Sequence, residues 1–143
     1  MEVASILELN AGATIAEWLS RVKSDDELSL MLVNDEQRTG HLTPLIRELV
    51  HRLRVPRNLG TKQVSDAAAQ HGKDRRAQGY SAPMIIEESR ILEVSIFHTL
   101  HFNSNIVDFS LLLIDVMTIA DEVDSQLKQA IVSFSESTEA FAV

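Results

Sequence analysis

The chain contains no cysteine. That absence excludes a disulfide scaffold, a thiolate zinc site and a cysteine nucleophile. Proline and glycine are nearly as scarce, three and five among 143 residues, so tight turns are few. Aromatic residues make up 5% of the chain although 45% of it is hydrophobic. Little turn chemistry and plentiful Leu, Ile, Ala and Glu point to a few long helices rather than many short strands. No apolar run approaches the ~18–20 residues that cross a bilayer. Glu2 and Glu8 surround the short apolar patch near the start, where a secretory leader would be cationic. Serine-hydrolase, P-loop and dinucleotide signatures are missing as well. The expectation is one soluble, cytoplasmic, non-enzymatic domain over residues 1–143, large enough to bury a core. It should be all-α, a bundle of about five to six helices with a long C-terminal one.

Charge of one sign is lacking only locally. Residues 38–90 hold ten of the thirteen Lys/Arg against five acids, while residues 1–37 and 91–143 carry eight acids each against two and one bases. A basic middle between acidic ends suits an anionic ligand or the acidic face of a protein partner, the plainer reading being solvated helix faces. An acidic chain without basic–aromatic interleaving does not suit nucleic acid.

Helical spacing appears first over Ala13–Lys23, with Ile15, Trp18, Leu19 and Val22 on one face. Ser24-Asp25-Asp26-Glu27 has the form of a capping box for a second helix that turns Leu28, Met31 and Leu32 inward. Thr43-Pro44 restarts the chain, and Leu45, Ile46, Leu49, Val50 and Leu53 form a stripe ended by Pro56 and Gly60. The next helix is predicted from about Lys62 to Gln78, with Val64, Ala67, Ala68 and His71 together and Gly79 at its left-handed end. Ser81 caps a central helix to about Asn103, broken by Asn103-Ser104-Asn105. Ile106, Phe109, Leu113, Val116, Ala120, Val123, Leu127, Ala130 and Phe134 then alternate by threes and fours. Such a seam fits a partner helix at a shallow angle, inside one bundle or across a two-fold dimer.

The polar residues gather at one hairpin. Arg75 and Arg76 lie one turn beyond His71, and Glu87, Glu88 and Arg90 open the next helix after Gln78-Gly79-Tyr80. An arginine–carboxylate pair across this bend would fix the register of the two helices, and Tyr80 would plug it while its hydroxyl found a partner. Gly72 within a helix suggests close approach of another one. His98 and His101, three apart, share a face as metal ligands can, but no Glu-x-x-His repeat accompanies them. Axial ligation of haem by His71 or His98 is open on spacing alone, and a phosphate-accepting His71 lacks the downstream lysine–glycine pair of phosphotransfer domains. No cofactor and no metal are assigned; a haem- or metal-binding sensor using His71, His98 or His101 is the alternative.

Several of these segments resemble the N-terminal domain of RsbRD-type co-antagonists of the bacterial stressosome, a module that also precedes some sensor histidine kinases. They are Ile15-Ala16-Glu17-Trp18-Leu19, His41-Leu42-Thr43-Pro44-Leu45-Ile46, and the block His71-Gly72, Arg76, Gln78-Gly79-Tyr80. Glu88-Ser89-Arg90-Ile91-Leu92, Val123-Asp124-Ser125-Gln126-Leu127 and Ala130-Ile131-Val132 complete the likeness. The pattern departs at Ser89, where an aromatic is usual, and at Glu93, where a base is frequent. The resemblance implies an all-α domain related to globins without haem, which dimerises and passes a signal to a C-terminal output domain or signalling protein. With no such module before Val143, the chain is expected to be an excised sensory domain or a small free-standing homologue. Its dimer seam would run through Leu113, Val116, Ala120, Val123, Leu127 and Phe134.

Overall fold

Caps and apolar stripes decide where the helices begin and which faces they bury. The computed structural model describes residues 1–60 and 64–142, with side chains as far as Ser137. Its helices are α1 (Val3–Leu9), α2 (Ala11–Lys23), α3 (Asp35–Thr39), α4 (Leu42–Arg54), α5 (Asp66–Ala77), α6 (Ala82–Phe102) and α7 (Leu112–Ala142). Single 3₁₀ turns stand at Leu28–Leu30 and Phe109–Leu111, and no strand occurs among the described residues. The chain is therefore all-helical with a long C-terminal helix. None of the helices is long and apolar enough to cross a membrane.

Several boundaries follow their sequence signals. The Ser81 hydroxyl accepts from the Met84 amide and Pro83 sits in the first turn of α6, where its missing N–H costs nothing. Gly79 takes φ +87° after α5, the left-handed conformation that glycine adopts freely. Other boundaries move. Val3–Leu9, with Val3, Ala4, Ile6 and Leu7 inward, is a helix the spacing argument passed over. Ser24 ends α2 rather than starting a helix: its hydroxyl turns back to the Ser20 carbonyl, and Asp25 accepts from the amides of Glu27 and Leu28. The capping box lies ten residues on, where Asn34 and Gln37 bond each other's amides to open α3. Leu28 and Met31 face inward but Leu32 is wholly exposed. Helix α5 starts at Asp66, where the Ser65 hydroxyl accepts from the Ala68 amide, so Val64 stands outside it and in solvent. The predicted start at Lys62 lies outside the described residues. Ile106 and Phe109 precede α7, in a turn and a 3₁₀ turn capped by Asp108.

The core joins α1, α2, α4, α6 and α7 through Ile6, Trp18, Leu42, Leu49, Ile85, Ile96 and Ile119, each essentially sealed from water. Helix α5 is the most polar of the long helices, yet it packs most closely of all on α7. Gly72 makes this possible: a methyl group there would strike the backbone of Ala130. The crossing sets His71 and Arg75 against the middle of the molecule. Three arginines of the basic central segment, Arg38, Arg52 and Arg75, turn inward as well. Arg52 pairs with Asp121 and Glu122 of α7, and Arg54 with Glu8 of α1, so acidic ends and basic middle neutralise one another within the chain.

Candidate functional site: a buried histidine–arginine–glutamate cluster

Three helix segments bring the polar side chains together. Arg75 and His71 lie one turn apart on α5, and Glu88 faces them from the second turn of α6. Arg75 Nε and Nη2 donate to the two carboxylate oxygens of Glu88, each at 2.9 Å. Its remaining N–H groups reach the carbonyls of Gln37 (3.0 Å) and Arg38 (2.7 Å) and Oε1 of Gln78 (2.7 Å). All five donors of the guanidinium are thus used, at 1% exposure. The arginine–carboxylate pair expected across the hairpin is present, formed by Arg75 and Glu88. Helix α3 is drawn into it through the Gln37 and Arg38 carbonyls, and Arg38 itself is buried, donating to the Leu28 and Met31 carbonyls.

Above this pair two imidazoles stack. The rings of His41, at the head of α4, and His71 lie 3.6 Å apart and within 8° of parallel. Trp18 meets His41 edge-on at 5.6 Å and donates its indole N–H to the Glu88 carbonyl at 3.0 Å. His71 Nε2 stands 3.7 Å from Glu88 Oε1. Burial, reinforced by the Arg75 charge, holds His71 neutral down to about 3. Burial and the neighbouring His71 and Arg75 lower His41 well below its ordinary range. For Glu88, burial pushes the carboxyl up and the Arg75 guanidinium opposes it; the two-point bridge requires the ionised form. The Nδ1 of His41 is enclosed without a hydrogen-bond partner among the described residues.

The Tyr80 ring lies under the Arg75 guanidinium at 4.5 Å. It plugs the bend as expected, but its buried hydroxyl finds no partner among the described residues. Arg76 instead covers the ring of Phe134 at 5.0 Å, and Arg90 pairs with Glu87 on the surface. An acidic partner therefore meets neither Arg75, which is enclosed, nor a free patch formed by these three arginines.

The cluster borders a cavity lined by His41, His71, Glu88 and Ser89 on one side and Val123, Gln126, Leu127 and Ala130 of α7 on the other. It leaves about 30 Å³ open to water, against the ~10–15 Å³ that one water needs. This space takes a water or an ion; a porphyrin beside His71 would need several hundred Å³. The ligand atoms of His41, His71 and Glu88 lie within 4.8 Å of one another. His98 and His101 are not part of this group: both are exposed near the end of α6, His98 3.9 Å from Glu17.

The predicted seam divides in two. Val123, Ala130 and Phe134 are buried within the chain, with Leu127 packed against them, so this half is intramolecular rather than a dimer contact. Val116 and Ala120 are half-buried. Before them Phe109, Leu111, Leu113, Ile114 and Met117 are exposed, as are Phe102 and Ile106 just upstream. The apolar spacing also concealed a buried polar edge. Glu122 takes Arg52, Gln126 donates to the Leu45 carbonyl and Glu48, and Ser133 donates to the Ala69 carbonyl. His41 escaped the site reading although His41-Leu42-Thr43-Pro44 was conspicuous; only its position ahead of a helix start hinted that the ring turns inward. Compared with family models, curated proteins and solved structures, the chain matches none.

Proposed function

We propose that this chain is a non-enzymatic signal-transduction module of the RsbRD type, which pairs with a second copy through the start of α7 and relays a stimulus along that helix. The observation that carries the reading is the apolar face left open by Phe109, Leu111, Leu113, Ile114 and Met117. Contiguous apolar surface of this kind marks an interaction site in monomeric folds. The occupant is a second copy, because Phe109 and Leu113 belong to the three-four spacing of the α7 seam and stay exposed, with Ile114 and Met117 beside them. A helix edge of that spacing is its own complement about a two-fold axis. Relay is supported by a shared wall: the residues of α7 that line the cavity lie on the helix that carries the open face. A change at His41 or His71 thus bears directly on α7, and a ligand biases it by its difference in affinity for two positions of the helix.

Sedimentation equilibrium of the whole chain tests the pairing. The wild type is expected to be a dimer, and Leu113→Asp or Ile114→Asp should weaken it at least a hundredfold. Each burial of an unpaired charge costs several kcal/mol. Leu32→Asp, at a fully exposed position away from α7, should leave association unchanged. A wild type that stays monomeric at high concentration overturns the proposal.

A further inference from the structure

Three side chains of the cluster carry atoms that can ligate a metal ion. His41 comes from the head of α4, His71 from α5 and Glu88 from α6, and their ligand atoms share one space of 4.8 Å. We propose that His41, His71 and Glu88 bind a divalent transition-metal ion of the zinc–cobalt class, with a fourth position open to the adjoining cavity. The site is the input of the relay proposed above; it rests on that reading for its output and not for binding itself.

Several observations support the assignment. Two imidazoles and one carboxylate form the donor set of many three-residue zinc sites, which leave one position for water or substrate. Nitrogen donors in the majority disfavour magnesium and calcium, which take oxygen. Among the described residues His41 Nδ1 is enclosed and unpartnered, an arrangement with a standing energetic cost that a coordinate bond removes. Burial keeps both rings neutral, the form that ligates a metal. Arg75, holding both oxygens of Glu88, plays the outer part that orients a ligating carboxylate. The cavity of about 30 Å³ admits the fourth ligand.

Binding requires a small closure. Tetrahedral donors at ~2.0–2.2 Å from zinc stand ~3.4 Å apart, so the group must tighten by roughly an ångström. The stacked rings must also splay, because the ion lies in the plane of each imidazole. Tightening draws the ligand-bearing ends of α4, α5 and α6 together, whereas splaying turns the two rings away from each other. Since Arg75 already neutralises Glu88, the ion keeps its double charge, and the open position favours hydroxide or a small anion over water.

Titration of the whole chain with Co²⁺ tests the site, since tetrahedral Co²⁺ shows intense visible ligand-field bands that Zn²⁺ displaces. One equivalent per chain is expected, with His41→Gln and His71→Gln each weakening binding at least tenfold. His98→Gln and His101→Gln should leave it unchanged. Circular dichroism checks that each variant folds. Should either cluster variant unfold, histidine-ring NMR of the wild type during Zn²⁺ addition replaces it, the His41 and His71 signals moving and those of His51, His98 and His101 staying. No binding to the wild type, or binding that the cluster variants or signals do not follow, overturns the proposal. A monomer that binds Co²⁺ through His41 and His71 would keep the site and lose the pairing; a dimer that does not would keep the pairing and lose the site.

Discussion

With its five N–H groups spent on Glu88, Gln78 and two carbonyls of α3, Arg75 ties three segments at one enclosed point. Removing one partner of such a pair strands a buried charge, which costs about 3–5 kcal/mol. Arg75→Met and Glu88→Gln should each lose stability on that scale in urea unfolding. The double variant should lose less than the sum, since neither charge is then left alone. Losses that add fully would mean that the two side chains act independently. The neutral imidazoles set a pH dependence of definite sign. In the unfolded chain they take up protons near their ordinary value of 6.5, whereas folded His71 resists to about 3. Below pH 6.5 the unfolded state therefore binds more protons, and stability falls as pH drops. The loss is ~1 kcal/mol for His71 between pH 7 and 5.5, and His41, also lowered, acts in the same sense. Glu88, raised by burial, works in the opposite sense nearer the carboxylate range. His71→Gln should flatten the pH dependence over that interval; an unchanged slope would show that the ring does not stay neutral in the fold.

Among the elements, the crossing of α5 over α7 has the least room for change. Alanine in place of glycine normally favours a helix by ~1 kcal/mol. At Gly72 the added methyl meets the Ala130 backbone, so Gly72→Ala should instead lower stability by ~1–3 kcal/mol, read as a fall in Tm. A rise in Tm would place the two helices further apart than described. The reason for a glycine here was visible in the sequence, because a helical glycine implies an approach; its partner was not, since nothing local selects Ala130. Caps were legible at Ser81 and Gly79, whereas Thr43, expected to cap α4, lies inside it behind His41. They misled where polar residues crowd: Ser24, Asp25 and Asn34 all compete to open a helix, and the winner is decided by the Arg38 guanidinium anchoring the carbonyls of Leu28 and Met31. The seam of α7 was read from apolar residues alone. Its polar edge at Glu122, Gln126 and Ser133 escaped because burial of these residues depends on partners in α4 and α5. His41 was hidden for the same reason, its stacking partner being thirty residues away in sequence.

At the scale of the molecule, the charge pattern serves the fold before any partner. The acidic C-terminal third supplies Asp121 and Glu122 to a buried Arg52, and the acidic start supplies Glu8 to Arg54. Outward-facing apolar side chains gather at the head of α7: Phe109, Leu111, Leu113, Ile114 and Met117. The cavity and this stretch occupy successive parts of one helix, so pairing and stimulus act on the same rod. The lack of cysteine makes the test clean. Asp124→Cys introduces a single thiol at an exposed position of α7, and a spin label there reports only distances between copies. Double electron–electron resonance should give one narrow intermolecular distance, lost when Ile114→Asp is added. A label that shows no dipolar coupling beyond a uniform background would contradict the pairing of two copies through α7.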